Sequence, residues 1–153
     1  MQIAVAHTTL ISTDVFASHL DGSWVIVDCR YDLRDERWGL EQYRTAHIPG
    51  AVYASLSHDL AAPPSGTNGR HPLPCVETIE ATFGRLGISP GTQVVIYDQD
   101  VGMYASRMWW MLRYMGHDAA AVGTPAFVVT YQRGAEWAAR GSVTIPLPPE
   151  LAR

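Results

Sequence analysis

At 153 residues, 47% hydrophobic and 17% charged, the chain has the composition of one globular domain rather than of a disordered segment. A formal charge of −4 leaves no basic face for general nucleic-acid binding, and no apolar run approaches the ~18 residues of a membrane span. Two cysteines, Cys29 and Cys75, lie far apart without CxxC spacing. They give neither a disulfide scaffold nor a zinc-site pattern, and they fit a reducing cytoplasm. Met1 to Leu10 has no basic start and no long apolar core, so no signal peptide is expected.

In chain order, Leu10-Ile11 predicts a short strand, and Ser12 or Thr13 a cap for a short helix through Val15, Phe16 and His19-Leu20. Asp21-Gly22 stops that helix. Trp24-Val25-Ile26-Val27 predicts a buried strand running into Asp28-Cys29-Arg30. Leu40 to Arg44 predicts one or two helical turns with Tyr43 inward. Pro49-Gly50 predicts a turn before a short strand at Ala51-Val52-Tyr53. A loop rich in Pro, Gly and Ala follows from Asp59 to Pro74. Val76, Ile79, Phe83 and Leu86 then recur at helical spacing, with Gly87 as the stop.

Val94-Val95-Ile96-Tyr97 is short, β-branched and continuous, as in a strand buried on both faces of a parallel sheet. The polar loop Asp98 to Gly102 separates it from a helix over Met103 to Met115. Apolar residues nearly encircle that helix, which predicts that it is largely buried, with Gly116 as its left-handed cap. Ala119 to Val122 predicts another strand, and Gly134 to Arg140 a short helix. The alternation predicts a three-layer α/β domain over residues 8–142, with roughly five mainly parallel strands and helices on both faces. Residues 143–153, with Pro146, Pro148 and Pro149, read as a tail or linker start. In such sheets chemistry sits at the carboxyl ends of the strands, which directs attention to the Asp98–Gly102 loop.

Five stretches, in this order, resemble the rhodanese family of thiosulfate and 3-mercaptopyruvate sulfurtransferases. They are Asp28-Cys29-Arg30, His47-Ile48-Pro49-Gly50-Ala51-Val52-Tyr53, Gly69-Arg70-His71-Pro72-Leu73-Pro74, Val94 to Asp98, and Ala105-Ser106-Arg107-Met108-Trp109-Trp110-Met111-Leu112-Arg113. The last is similar to the N-terminal half of two-domain members. The resemblance implies that a C-terminal half carries a cysteine at the head of its active loop, forms a persulfide there, and passes the sulfur to cyanide or a thiol. The N-terminal half usually has aspartate at that position, here Asp98. The resemblance therefore implies an inactive domain needing no cofactor or metal. Its partner would be a catalytic half, in cis in relatives, or a second copy in a homodimer, and its ligand a small sulfur-containing anion. The chain reaches Arg153 near where the interdomain linker of relatives would begin. Residues 123–132 depart from the Leu-Asp-Gly-Gly pattern usual in the family.

Individual residues keep two readings. Asp98 is a general base or a carboxylate capping the next helix. Its charge, with that of Asp100, opposes an anion, at about 4 kcal/mol per pair at ~4 Å and a surface-like dielectric. His47 either fixes the turn through a ring hydrogen bond or, by the resemblance, relays a proton across the interdomain cleft. Arg70 and Arg107 anchor an anion or the partner domain, or are solvated or internally paired. Trp109 and Trp110 form an interface patch, or at least one belongs to the core. Cys29 is a thiol activated by Arg30 or a small buried residue; Cys75 is a thiol at a helix start or a surface accident. A phosphatase loop, Walker loop, dinucleotide fingerprint, zinc-protease motif and hydrolase elbow are all missing.

Overall fold

The computed structural model describes residues 6–123. Their elements run α1 (Thr13–Ala17), β1 (Val25–Asp28), α2 (Trp38–Thr45), β2 (Val52–Tyr53), α3 (Val76–Arg85), β3 (Val94–Tyr97), α4 (Ala105–Tyr114) and β4 (Ala120–Val122). The strands form one sheet in the order β2-β1-β3-β4, and every pairing is parallel. Among the described residues the sheet thus has four strands where about five were expected. The Leu10-Ile11 segment makes a single parallel bridge, Leu10 with Val122, and two backbone bonds around it, too few for a strand. The expected helix around Trp137 and the tail after residue 142 lie outside the described residues.

Side-chain alternation divides the sheet into two faces. Val27, Val94, Ile96, Ala120 and Val122 pack with Ile79 and Phe83 of α3 and with Met108, Met111 and Leu112 of α4. Val95 and Ala121 point the other way, onto Ile11, Phe16 and Trp24. Val94, Val95 and Ile96 are completely buried, so this strand carries an unbroken apolar run. Burying such a side chain contributes about 1.5–3 kcal/mol against leaving it in water.

The caps follow the sequence. The Ser12 hydroxyl accepts the Val15 N–H at the start of α1. Gly87 and Gly116 follow α3 and α4 in the left-handed region, at φ 82° and 79°. One expectation is corrected: α4 is not buried all round. Met108, Trp109, Met111 and Leu112 face the sheet, whereas Trp110 is 46% exposed and stacks on the exposed Tyr114, ring centroids 5.2 Å apart. Positions 108, 109, 111 and 112 share one helical face, and only that face meets the sheet.

Candidate functional site

The carboxyl ends of β1 and β3, the two inner strands, bring the family-like stretches together. Asp98 directly follows β3 and is 8% exposed. Its Oδ1 accepts the backbone N–H groups of Asp100 at 3.1 Å and Gly102 at 3.0 Å. Its Oδ2 accepts those of Tyr104 at 2.9 Å and Ala105 at 3.1 Å. Ala105 opens α4, so the positive end of the helix dipole reinforces these charge-assisted bonds. A carboxylate offers about four lone-pair sites, and here all are used by the chain itself. The loop is therefore a nest of N–H donors already filled by its own anion.

Asp28 ends β1 and is wholly buried, with an ion pair to Arg30. Arg30 Nε donates to Oδ2 at 2.9 Å and Nη2 to the same oxygen at 2.7 Å. Nη2 also donates to Ala46 O at 2.6 Å, while the Tyr97 hydroxyl donates to Asp28 Oδ2 at 2.7 Å. The Tyr97 oxygen accepts the Ile48 N–H at 3.3 Å. One carboxylate thus ties β1, β3 and the His47-Ile48-Pro49-Gly50 turn together. Burial and the hydrogen bond to Asp28 push the Tyr97 phenol far above its ordinary pKa, holding it as a donor. The sequence motif Asp28-Cys29-Arg30 is read here as Asp-x-Arg: the guanidinium serves the acid, not the thiol between them.

His47 is exposed. Its Nδ1 lies 2.7 Å from Tyr43 O, and its ring stacks on Tyr43 at 4.0 Å. A carbonyl only accepts, so Nδ1 carries the proton and Nε2 is the free face of the ring. Arg107 is consumed internally. It donates to Leu60 O through Nε at 3.2 Å and Nη2 at 3.0 Å, and reaches His71 O and Pro72 O, both at 3.2 Å. It clips the 57–74 loop onto α4. Trp109 is buried and its indole N–H points at Thr8 O (3.0 Å) and Ala120 O (3.1 Å), with the Arg113 guanidinium 5.3 Å from its ring centre.

Asp98, with Tyr97 and Ile48, lines a small pocket of about 230 Å³ on the Ile11 and Phe16 side of the sheet, whereas Arg70 borders a larger cleft. Arg70 is exposed, bonds Leu33 O, and lines this cleft of about 750 Å³ between residues 31–36 and 57–71. Tyr31 forms the floor. Its backbone is held by the Gln99 side chain at 2.8 and 3.3 Å and its ring lies 5.5 Å from Tyr104, so the cleft is anchored to the Asp98 loop. No hydrogen bond or ion pair joins Asp98, His47, Arg70 and Arg107 to one another. Sequence reasoning missed this cleft because its walls come from two loops without periodic pattern. It also missed Tyr97 as the partner of Asp28, for which adjacency of two strand ends was the needed information.

The thiols are elsewhere. Cys29 is fully buried and its sulfur lies 3.8 Å from Met108 Sδ. Burial pushes its pKa well above the ordinary value, with Asp28, Asp98 and Asp59 adding to the effect. Cys75 is exposed at the N-cap of α3, 3.2 Å from the Thr78 hydroxyl. Among the described residues, no three His, Cys, Asp or Glu side chains gather as a metal site, and no helix is long and apolar enough to cross a membrane.

This architecture has counterparts. The rhodanese-like domain profile matches residues 12–137. A probable 3-mercaptopyruvate sulfurtransferase of Pseudomonas aeruginosa is 41% identical over 93 residues, 60% of this chain and 33% of that protein. The human 3-mercaptopyruvate sulfurtransferase is 37% identical over 107 residues, 67% of this chain and 32% of that protein. Among solved structures, 3-mercaptopyruvate sulfurtransferase from Leishmania major superposes with a TM-score of 0.70 at 29% identity, over 81% of this chain and 34% of that one. The Escherichia coli 3-mercaptopyruvate sulfotransferase gives 0.66 at 27% identity, over 82% and 49%. The chain spans about a third of the length of the curated relatives it matches. With the parallel sheet, the helices on both of its faces and the matched profile in agreement, the chain belongs to the rhodanese family.

Proposed function

We propose that this domain forms one wall of the active cleft of a two-domain sulfurtransferase and does not itself carry the sulfur. The parent reaction moves sulfur from 3-mercaptopyruvate or thiosulfate to a thiophilic acceptor. It needs a thiolate at the carboxyl end of the central strand. Here Asp98 stands at that strand end, an oxygen acid that cannot form a persulfide, with its lone pairs bound to four backbone N–H groups. That arrangement is the observation that carries the reading. The buried thiol of Cys29 and the remote thiol of Cys75 agree with it. The partner is a catalytic rhodanese half supplying the cysteine loop. The ring nitrogen Nε2 of His47, an acceptor, and the exposed guanidinium of Arg70, a donor, are the groups this wall offers the partner.

The test is thiocyanate release from thiosulfate and cyanide, and pyruvate release from 3-mercaptopyruvate, by the purified chain. No turnover is expected from it alone. A catalytic rhodanese half supplied in trans is expected to associate with it, seen by size-exclusion chromatography with light scattering. Turnover by this chain alone that persists in the Cys29→Ser, Cys75→Ser double variant overturns the reading. A stable homodimer that ignores the catalytic half assigns the wall to self-association instead.

A further inference from the structure

We propose that the cleft between residues 31–36 and 57–71 binds a zwitterionic α-amino acid, its carboxylate on Arg70 and its ammonium on Glu36 and Asp35. This goes beyond sulfur transfer and does not depend on it. The argument rests on charges that share a rim without neutralising one another. Arg70 donates one of its five N–H groups to Leu33 O, which fixes the guanidinium next to the acidic segment and leaves the other donors free. Asp35 and Glu36 lie two and three residues beyond Leu33 and line the same cleft. No ion pair joins either of them to Arg70. Arg34, the other cation of this cleft, is engaged by Asp32 at 3.1 Å, and the Asp35 carboxylate accepts only the Arg37 backbone N–H, at 3.1 Å. Glu36 makes no hydrogen bond or ion pair.

A simple anion that reaches Arg70 is opposed by two carboxylates, and a simple cation meets the reverse problem. A ligand carrying both signs a few bonds apart is attracted by both walls. Leu33, Ala61, Ala62, Pro63 and Pro64 give much of the remaining wall an apolar lining. The Tyr31 hydroxyl is tied to Ser57, and His71, whose ring lies 6.0 Å from that of Tyr31, is held toward its neutral form by burial and by Arg70 and Arg107. At about 750 Å³ the cleft holds an amino acid with room for a longer side chain. The charged groups are exposed, so the affinity expected is millimolar.

The experiment is a ¹⁵N–¹H correlation titration of the full chain with L-alanine, N-acetyl-L-alanine and L-alanine methyl ester at pH 7. L-alanine is expected to shift amides of residues 31–36 and 57–71 saturably. Blocking either charge is expected to weaken binding about tenfold. Glu36→Gln removes only the charge of a side chain without partners, so the fold is retained. It is expected to weaken L-alanine and to strengthen N-acetyl-L-alanine, a crossover that a merely structural change does not produce. Arg70→Gln is expected to weaken both L-alanine and the N-acetyl derivative. The proposal is overturned if L-alanine produces no saturable shifts in these loops. Equal binding of L-alanine and N-acetyl-L-alanine, unmoved by Glu36→Gln, overturns it in favour of a plain anion site. Sulfur-transfer assays have no bearing on either result.

Discussion

The Tyr97 hydroxyl donates to the buried Asp28 carboxylate at 2.7 Å, linking the ends of the two inner strands beneath the His47 turn. The bond has a charged acceptor that no water reaches, so its loss is costly. Tyr97→Phe is expected to destabilise the domain by about 1.5–3 kcal/mol. Asp28→Ala should cost more, about 3–5 kcal/mol, because it strands the Arg30 guanidinium, whose side chain is only 18% exposed. Urea midpoints for the two variants check the order; equal midpoints would mean that Arg30 finds another partner.

Asp98 supports the loop that it begins. Asp98→Ala leaves four N–H groups without acceptor, two of them on the buried Gly102 and Ala105. Each buried orphan costs about 1–3 kcal/mol, so a loss of about 2–6 kcal/mol is expected. Asp98→Asn should recover little of it, since the amide puts an NH2 group where two N–H donors converge. Thermal unfolding of both variants gives the comparison. An Asp98→Ala variant as stable as the parent would mean that the nest does not need its anion.

How far the sequence reached can be judged on these residues. The run Val94–Tyr97 announced a buried parallel strand, because a strand covered on both faces needs apolar residues at every position. Gly87 and Gly116 announced helix ends, because only glycine takes the left-handed cap without strain. Asp98 as a helix-capping acid was one of two readings of its position after the strand, and its Oδ2 accepts the N–H groups of Tyr104 and Ala105 at the head of α4. What the sequence withheld depends on contacts between distant segments. Arg107 read either as an anchor for an anion or partner or as solvated or internally paired, and its acceptors, carbonyls of the 57–74 loop 35 to 47 residues away, could not be named from spacing. The sequence placed at least one of Trp109 and Trp110 in the core without saying which, because apolar residues nearly surround α4 while the sheet covers only one side of it. The cleft at Arg70, Asp35 and Glu36 belongs to no periodic pattern and needed coordinates.

The thiols should differ sharply in reactivity. Cys75 is exposed, whereas Cys29 is enclosed and its thiolate disfavoured by burial and by neighbouring carboxylates. Titration with an aromatic disulfide reagent in buffer is expected to report one fast thiol. The second should appear only on unfolding in denaturant. Cys75→Ser should abolish the fast phase, and Cys29→Ser should leave it unchanged. A fast phase surviving Cys75→Ser would place Cys29 within reach of solvent.

Two glycines give opposite expectations for the same substitution. A Cβ at Gly39 would lie 1.9 Å from Arg30 O and 2.6 Å from the Tyr53 hydroxyl. The carbonyl belongs to the backbone that positions Arg30, so Gly39→Ala should distort the Asp28 network and cost several kcal/mol, on the order of 3 or more. Gly84 lies inside α3, with nothing within 4 Å of an added Cβ. Gly84→Ala should raise stability by about 0.5–1 kcal/mol through helix propensity and a less flexible unfolded chain. Paired denaturation curves measure both signs in one protein.

Stability should also carry the imprint of His71. Burial, then the charges of Arg70 and Arg107, lower its pKa below the ordinary 6.5. The unfolded chain therefore binds this proton at a higher pH than the folded one does. Between the folded-state pKa and 6.5 the unfolded state holds more protons, so stability rises with pH across that window. The contribution is fully present above the unfolded value and is lost as pH falls toward the folded one. His71→Gln keeps a polar side chain without the titration, and its unfolding free energy should vary less steeply with pH over that interval than the parent's. Arg70→Gln removes one of the two charges that depress this imidazole and should narrow the window, whereas His117→Gln, at the opposite end of the sheet beside Thr92, should leave the His71 contribution in place.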